Sequence, residues 1–346
     1  MDGVVLRKLL AFAFVGYLGF AAWWVIAAGV VRNDGPVELL NVACDPTREL
    51  WRDINAKFLE KYTSEVGTPI AIRQSHGGSG SQARAVIDGL DADVVTLALF
   101  TDTDAIRKAG RIDENWENKL PNRSLPYVST IVIVVRKGNP KGIRDWPDLL
   151  REDVSVITPN PKTSGNGKWS FLALWGAVVT RGGSDEEARQ AVTSIYRRVP
   201  VLDPAARGAT MTFAQKKIGD AHLTWENEAH LEVQEANGEL EIVYPPVSVL
   251  AEPHVAIVDA VVKRKGTKAA AEAYMKYLYT DEAQRIIAGH HYRPTNPAIQ
   301  RETVDRFPPI RLFPVRALGP DWDAINKRFF AEGGIFDQIY AGGRAK

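Results

Sequence analysis

The 346-residue sequence has a single cysteine, Cys44, so no disulfide can form within the chain. It lacks an excess of charge of either sign: 43 Lys and Arg stand against 42 Asp and Glu. Without a basic field nothing gathers nucleic acid, and no nucleic-acid partner is expected. No internal repeat of solenoid length and no low-complexity segment is present. No glycine loop ends in Gly-Lys-Ser/Thr, which excludes a nucleotide phosphate loop. Gly77-Gly78-Ser79-Gly80-Ser81 lacks the final glycine of a G-x-S-x-G nucleophile elbow. What is left is a globular composition, 45% hydrophobic and 25% charged, in a chain long enough for two lobes.

One long apolar run is present, at the N-terminus. Arg7 and Lys8 precede an uninterrupted apolar stretch over residues 9–31. A basic region followed by an apolar one reads as an export signal. As a helix the run would span roughly 30 Å, enough to cross a bilayer. Residues 1–35 are therefore expected to be an apolar helix, either a signal peptide cleaved near Ala27-Ala28-Gly29 or an uncleaved anchor with Arg7 and Lys8 in the cytoplasm. Both readings place residues 36–346 outside the cytoplasm. "LNVAC" faintly resembles a lipoprotein site, but Asn41 spoils it, and Cys44 reads as a small residue ending a strand.

Beyond that run, strands alternate with helices. Residues 37–43 form a short apolar strand, after which Asp45 is expected to cap a helix with Pro46 at its first position. Trp51, Ile54, Phe58 and Tyr62 recur at helical spacing. "PIAIR" (69–73), "ADVVTLAL" (92–99), the long β-branched run at 127–140 and "HVAIVDAVV" (254–262) read as further strands. The alternation predicts an α/β fold with parallel sheets covered on both faces, whose ligands bind beyond the strand ends at helix N-termini.

Four such helix starts stand out, after Asp45, Ser79, Ser164 and Ala206. A helix N-terminus presents unpaired N–H groups and about half a positive charge. Glycine lets a ligand approach the backbone, and serine adds a hydroxyl donor. Several termini aimed at one point would cage an oxyanion with neutral donors, each hydrogen bond contributing about 1.5–3 kcal/mol. Taken alone, "HGGSG" (76–80) also reads as a tight turn capped by serine.

The ordered motifs "DPTREL" (45–50), "QSHGGSG" (74–80), "ADVVTLAL" (92–99), "VRKGNP" (135–140), "VSVITPNPKTSG" (154–165), "ARGAT" (206–210), "GDAHLTWENEA" (219–229), "VLAEP" (249–253), "YRP" (292–294) and "FDQI" (336–339) extend over nearly everything after the N-terminal segment. In these the chain resembles the bacterial periplasmic sulfate-binding proteins, receptors of sulfate/thiosulfate ABC importers. The resemblance implies a two-lobed periplasmic-binding-protein fold of type II. Residues 36–128 and 253–346 would form lobe 1 and 129–252 lobe 2, with sulfate or thiosulfate clamped in the cleft. It implies ligand contacts from the Asp45 N–H and Ser79 hydroxyl on one lobe. From the other lobe would come the Ser164 hydroxyl, the N–H groups of Gly165, Asn166 and Ala206, and the Trp225 indole. Where this chain has Asn166 the family carries glycine, and where it has Pro204 the family carries serine, so the Asn166 side chain could crowd the cleft and the Ala206 loop is stiffened. His76 and Arg207 flank the loops, where they would hydrogen-bond loop carbonyls and polarise the donating peptides, or simply brace the loops. The resemblance further implies delivery to an inner-membrane ABC permease with a cytoplasmic ATPase, no cofactor, no metal and no catalysis.

Other constellations are weaker. His222, Glu226 and His230 share a helical spacing that would suit zinc, but "AHLTW" reads as a strand that points His222 elsewhere. A serine hydrolase would pair Ser79 with His76 and lacks an acidic orienter. Molybdate is a competing ligand, decided by cavity size.

Overall fold

The computed structural model describes residues 37–343. The expected N-terminal helix lies outside the described residues, and among those described no helix is long and apolar enough to cross a membrane. The strands in chain order are β1 (Val37–Cys44), β2 (Ile70–Gly77), β3 (Val94–Thr96), β4 (Tyr127–Val128), β5 (Ile131–Arg136) and β6 (Val156–Ile157). After them come β7 (Ala221–Trp225), β8 (Leu240–Val243), β9 (Val247–Val249), β10 (Val255–Ile257), β11 (Arg293–Pro294) and β12 (Arg311–Phe313).

Two four-stranded sheets organise the molecule, in the orders β10-β3-β1-β2 and β6-β7-β5-β8. β1 runs parallel to both β2 and β3, as alternation predicts. The sheets are nevertheless mixed. β10 is antiparallel to β3, and β5 is antiparallel to β7 and β8. β5 follows β4 and β10 follows β9 with no helix between, so neither is delivered by a βαβ crossover within its own sheet and nothing obliges it to run parallel. The long run at 127–140 accordingly breaks into β4 and β5, and "HVAIVDAVV" becomes β10 followed by the helix Asp259–Lys265.

The passages between the sheets touch each other. Ser129 and Ala251 exchange both backbone hydrogen bonds, each 2.9 Å. The last part of the chain packs against both sheet assemblies. Residues through β11 return to the first-sheet side, whereas Phe313, Phe329, Phe330, Phe336 and Ile339 enter the second-sheet core with Trp169, Phe171 and Trp175. The physical reason is aromatic packing. Trp175 meets Phe329 edge-on at 4.9 Å, a pairing worth about 0.5–1.5 kcal/mol beyond burial. β12 also pairs with β9.

Helix boundaries reflect local chemistry. Ser184 and Glu187 form a capping box ahead of the helix Asp185–Tyr196. Gly67 ends the helix Arg48–Val66 at φ 71°, a left-handed position that favours glycine. The helix Gly165–Val179 is buried along nearly its whole length, which its apolar sequence permits on every face. That helix carries its N-terminus to the junction of the two sheets.

Candidate functional site

The two sheet assemblies meet around one small cavity. Cys44, Asp45, Pro46, Gly77, Gly78, Ser79 and Ala98 line it from the first-sheet side; Ser164, Gly165, Asn166, Ala206 and Trp225 line it from the second. All seven residues singled out as ligand contacts therefore reach one cavity, while His76 and Arg207 stand behind its wall.

Strand ends bring them there. β1 ends at Cys44, and Asp45 opens a short 3-10 turn with Pro46 at its start, where a missing N–H costs nothing. β2 ends at Gly77, and the helix Ser79–Ile87 starts behind extended Gly78. Ser164 caps Gly165–Val179, its Oγ accepting the Gly167 N–H at 3.4 Å. Extended Ala205 precedes the short helix Ala206–Thr210, and Trp225 is the last residue of β7. The first amides of a helix have no partner within it. The N–H groups of Ser79, Gly165, Asn166 and Ala206 thus have no partner within their own helices, and all four residues line the cavity.

Trp225 is 1% exposed, yet its indole Nε1 has no hydrogen-bond partner. An orphaned buried donor costs about 1–3 kcal/mol, a cost that a bound acceptor would remove. Asn166 does not crowd the site. Its Nδ2 donates to the Leu223 carbonyl at 3.3 Å and its Oδ1 accepts from the Ser170 hydroxyl at 3.4 Å. Asp45 departs from expectation. Its carboxylate caps no helix but accepts from Arg48 Nη2 at 2.6 Å, because that arginine lies one turn along the same segment. Ser79 departs too, since its hydroxyl donates at 2.6 Å to Asp102, a residue that sequence reading did not single out.

The two sides approach closely across the cavity. A Cβ on Gly165 would lie 2.4 Å from Ala98 Cβ, and one on Gly78 would lie 2.6 Å from the Thr163 carbonyl oxygen. Polar bridges also cross. Arg207 Nη2 reaches Glu49 Oε2 at 2.7 Å and Glu228 Oε1 at 3.1 Å, so this arginine ties the sides together and does not donate to loop carbonyls as expected. Asn227 Nδ2 donates to the Pro46 carbonyl at 3.2 Å, and Arg293 grips buried Glu226 at 2.7 and 2.8 Å. His76 Nδ1 lies 3.4 Å from the Cys44 carbonyl, whose peptide unit carries the Asp45 N–H. A donor there would polarise that N–H toward the cavity. Burial holds the His76 imidazole below its ordinary value.

The competing constellations do not assemble. His76 Nε2 faces Gln74 at 2.7 Å and Ser79 faces Asp102, so no Ser–His pair forms. His222 pairs with Glu232, Glu226 with Arg293 and His230 with Tyr244. Among the described residues no group of His, Cys, Asp or Glu is placed to hold a metal ion. Cys44 is buried at the end of β1, and burial pushes its thiol up to about 12.

At a neighbouring contact His230 stacks on His291, with ring centroids 3.6 Å apart and planes 8° apart. Burial, with His291 beside it, holds His230 down at about 4, and burial lowers His291 as well. Both folded-state values lie below the ordinary imidazole value of 6.5. Below that value the unfolded chain takes up protons that the native pair refuses, so stability is full above it and falls as the pH drops toward 4. The melting temperature is expected to fall over that window. The slope should be shallower in His291→Asn, since asparagine also accepts the positive φ of 58° at this site. Buried His254, held at about 3, keeps part of the slope in the variant. Parallel slopes in a pH series of thermal melts would remove the stacked pair from this account.

Fold and cavity together define a mixed α/β protein of the solute-binding class. The chain belongs to the bacterial extracellular solute-binding proteins, whose family model matches residues 39–293. It is 50% identical over 305 residues to the sulfate-binding protein of Salmonella typhimurium, covering 88% of this chain and 93% of that one. It is 48% identical over 305 residues to the thiosulfate-binding protein of Pseudomonas aeruginosa, covering 88% and 92%. Among solved structures it resembles the sulfate-binding protein SubI from Mycobacterium tuberculosis, with a TM-score of 0.76 at 31% identity over 85% of this chain and 99% of the other. These relatives are binding proteins, not enzymes.

Proposed function

We propose that this protein is an extracytoplasmic receptor that encloses sulfate, or thiosulfate, between two lobes and delivers it to an ABC importer. The two sheet assemblies act as the lobes, and the Ser129–Ala251 passages act as the hinge. The supporting observation is the buried, unpartnered Trp225 indole N–H on the wall of a small cavity edged by helix-start amides. A dianion removed from water needs such donors, and sulfate at neutral pH has no proton that would demand an acceptor. No charged side chain has to touch it. Relatives named for sulfate and for thiosulfate match almost equally well, so both anions belong to the reading. Export by the N-terminal apolar segment places the receptor in the periplasm, free or tethered. Its partners are an inner-membrane permease and that permease's cytoplasmic ATPase.

A thermal-shift panel of sulfate, thiosulfate, molybdate and phosphate tests the ligand class, because an anion that binds only the folded state raises the melting point. Calorimetry on Trp225→Phe tests the carrying observation. Removing one donor to a charged ligand is expected to weaken sulfate roughly 10- to 100-fold with the fold intact. Unchanged affinity would place the anion elsewhere.

A further inference from the structure

Ser79 is the one expected donor whose hydrogen is already engaged. Its Oγ lies 2.6 Å from Asp102 Oδ2 and accepts the Ala98 N–H at 3.0 Å. A carboxylate accepts hydrogen bonds and offers none, so the single hydroxyl hydrogen points at Asp102. Asp102 is 5% exposed and comes from the same side of the cavity as Ser79. Its other oxygen, Oδ1, is 3.1 Å from Lys168 Nζ. Lys168 comes from the opposite side, on the helix Gly165–Val179 whose first residues line the cavity. Among the described residues Asp102 is the carboxylate that pairs with Lys168, and the Phe330 ring closes the ammonium's surroundings at 5.9 Å. Trp169, next in sequence, donates its indole N–H to the Ala98 carbonyl at 2.8 Å and fixes this helix against the segment that also holds Ser79.

An anion in the cavity would therefore sit one hydroxyl away from a buried carboxylate. Two negative groups at that separation repel strongly where little water screens them. We propose that Lys168 is a positioning residue for anion capture: carried in by the second lobe as the cavity closes, it neutralises Asp102 and weakens that carboxylate's hold on the Ser79 hydroxyl hydrogen, which then turns to the dianion. This role rests on reading the cavity as an oxyanion site. It makes closure and donor supply one event, because the ammonium and the hydroxyl belong to different lobes. A bridge that merely latched the lobes would act by its attraction alone. Removing both charges at once separates the two roles, because it abolishes the latch but also the repulsion that Lys168 would offset.

Calorimetric titration of sulfate into wild type, Lys168→Met, Lys168→Arg and Asp102→Asn/Lys168→Met decides between them, with ligand-free melting points recorded alongside. Lys168→Met leaves Asp102 unneutralised and is expected to bind sulfate on the order of a hundredfold more weakly. Lys168→Arg keeps the cation and should stay within about tenfold of wild type. The double variant buries no unpaired charge, so it folds even if Lys168→Met does not, and it should recover most of the loss. A double variant as weak as Lys168→Met, or as weak as an unfolded control, overturns the neutralising role in favour of a latch. Wild-type binding with Lys168→Met unaffected removes the role alone. A wild-type protein that ignores sulfate removes the reading of the cavity, and this role with it.

Discussion

Gly165→Ala is expected to lower sulfate affinity by about a thousandfold while leaving the ligand-free melting point nearly unchanged. The added Cβ would stand 2.4 Å from Ala98 Cβ, 3.1 Å from Leu99 Cδ1 and 3.2 Å from Ser79 Cβ. Real carbon atoms do not approach to the first of these distances, so the two sides must separate. Neither partner yields cheaply, since Ala98 is 1% exposed and its carbonyl and amide are bound to Trp169 and Ser79. Separation would take the proposed donors of Ser164, Gly165, Asn166, Ala206 and Trp225 away from those of Asp45 and Ser79. Losing two or three hydrogen bonds to a dianion, at about 1.5–3 kcal/mol each, gives the expected factor. Gly165 is the first residue of its helix and has no left-handed dihedral, so alanine is compatible with its backbone. The penalty therefore falls on closure and not on folding. Calorimetry and ligand-free thermal melts separate the two. Retained affinity would mean that the anion does not need the closed arrangement.

How much of this site was legible in the sequence depends on whether a signal is local. The donors sit where an apolar strand gives way to glycine or serine, and that pattern marks Ser79, Ser164 and Gly165 without any knowledge of the partner side. Trp225 carried no such mark from composition alone, because most of the other tryptophans occur at core spacing; the resemblance singled it out. The charged bridges were invisible for a different reason. Asp102 and Lys168 stand 66 positions apart, Glu49 and Arg207 stand 158 apart, and neither pair leaves a periodic trace. The direction of β5 and β10 was likewise misjudged, because an apolar run reports burial and not strand polarity. Trp322, Ile325 and Phe329 read as one side of a last helix, yet nothing in their spacing says which sheet that side covers.

Rejection of phosphate is the other large expected effect, on the order of 10⁴ relative to sulfate at neutral pH. The two ions are similar in shape, and they differ in that hydrogen phosphate carries an O–H. Both carboxylates near the cavity are committed. The Asp45 carboxylate is held by Arg48 Nη2 at 2.6 Å, and the Asp102 carboxylate is shielded by Ser79 and paired with Lys168. The Ser164 oxygen already accepts the Gly167 N–H. The remaining groups, the Trp225 indole and the helix-start amides, can only donate. The phosphate O–H would be buried facing donors, which loses its own hydrogen bond to water and leaves one protein donor unmatched. Molybdate separates this cause from simple size, because it is larger than sulfate and carries no proton at neutral pH. If protonation governs, thiosulfate and molybdate shift the melting point and phosphate does not. If cavity size governs, molybdate fails and phosphate, close to sulfate in size, succeeds. Comparable calorimetric affinities for phosphate and sulfate would mean that some acceptor does face the ligand, and Asp45 released from Arg48 would be the first residue to examine.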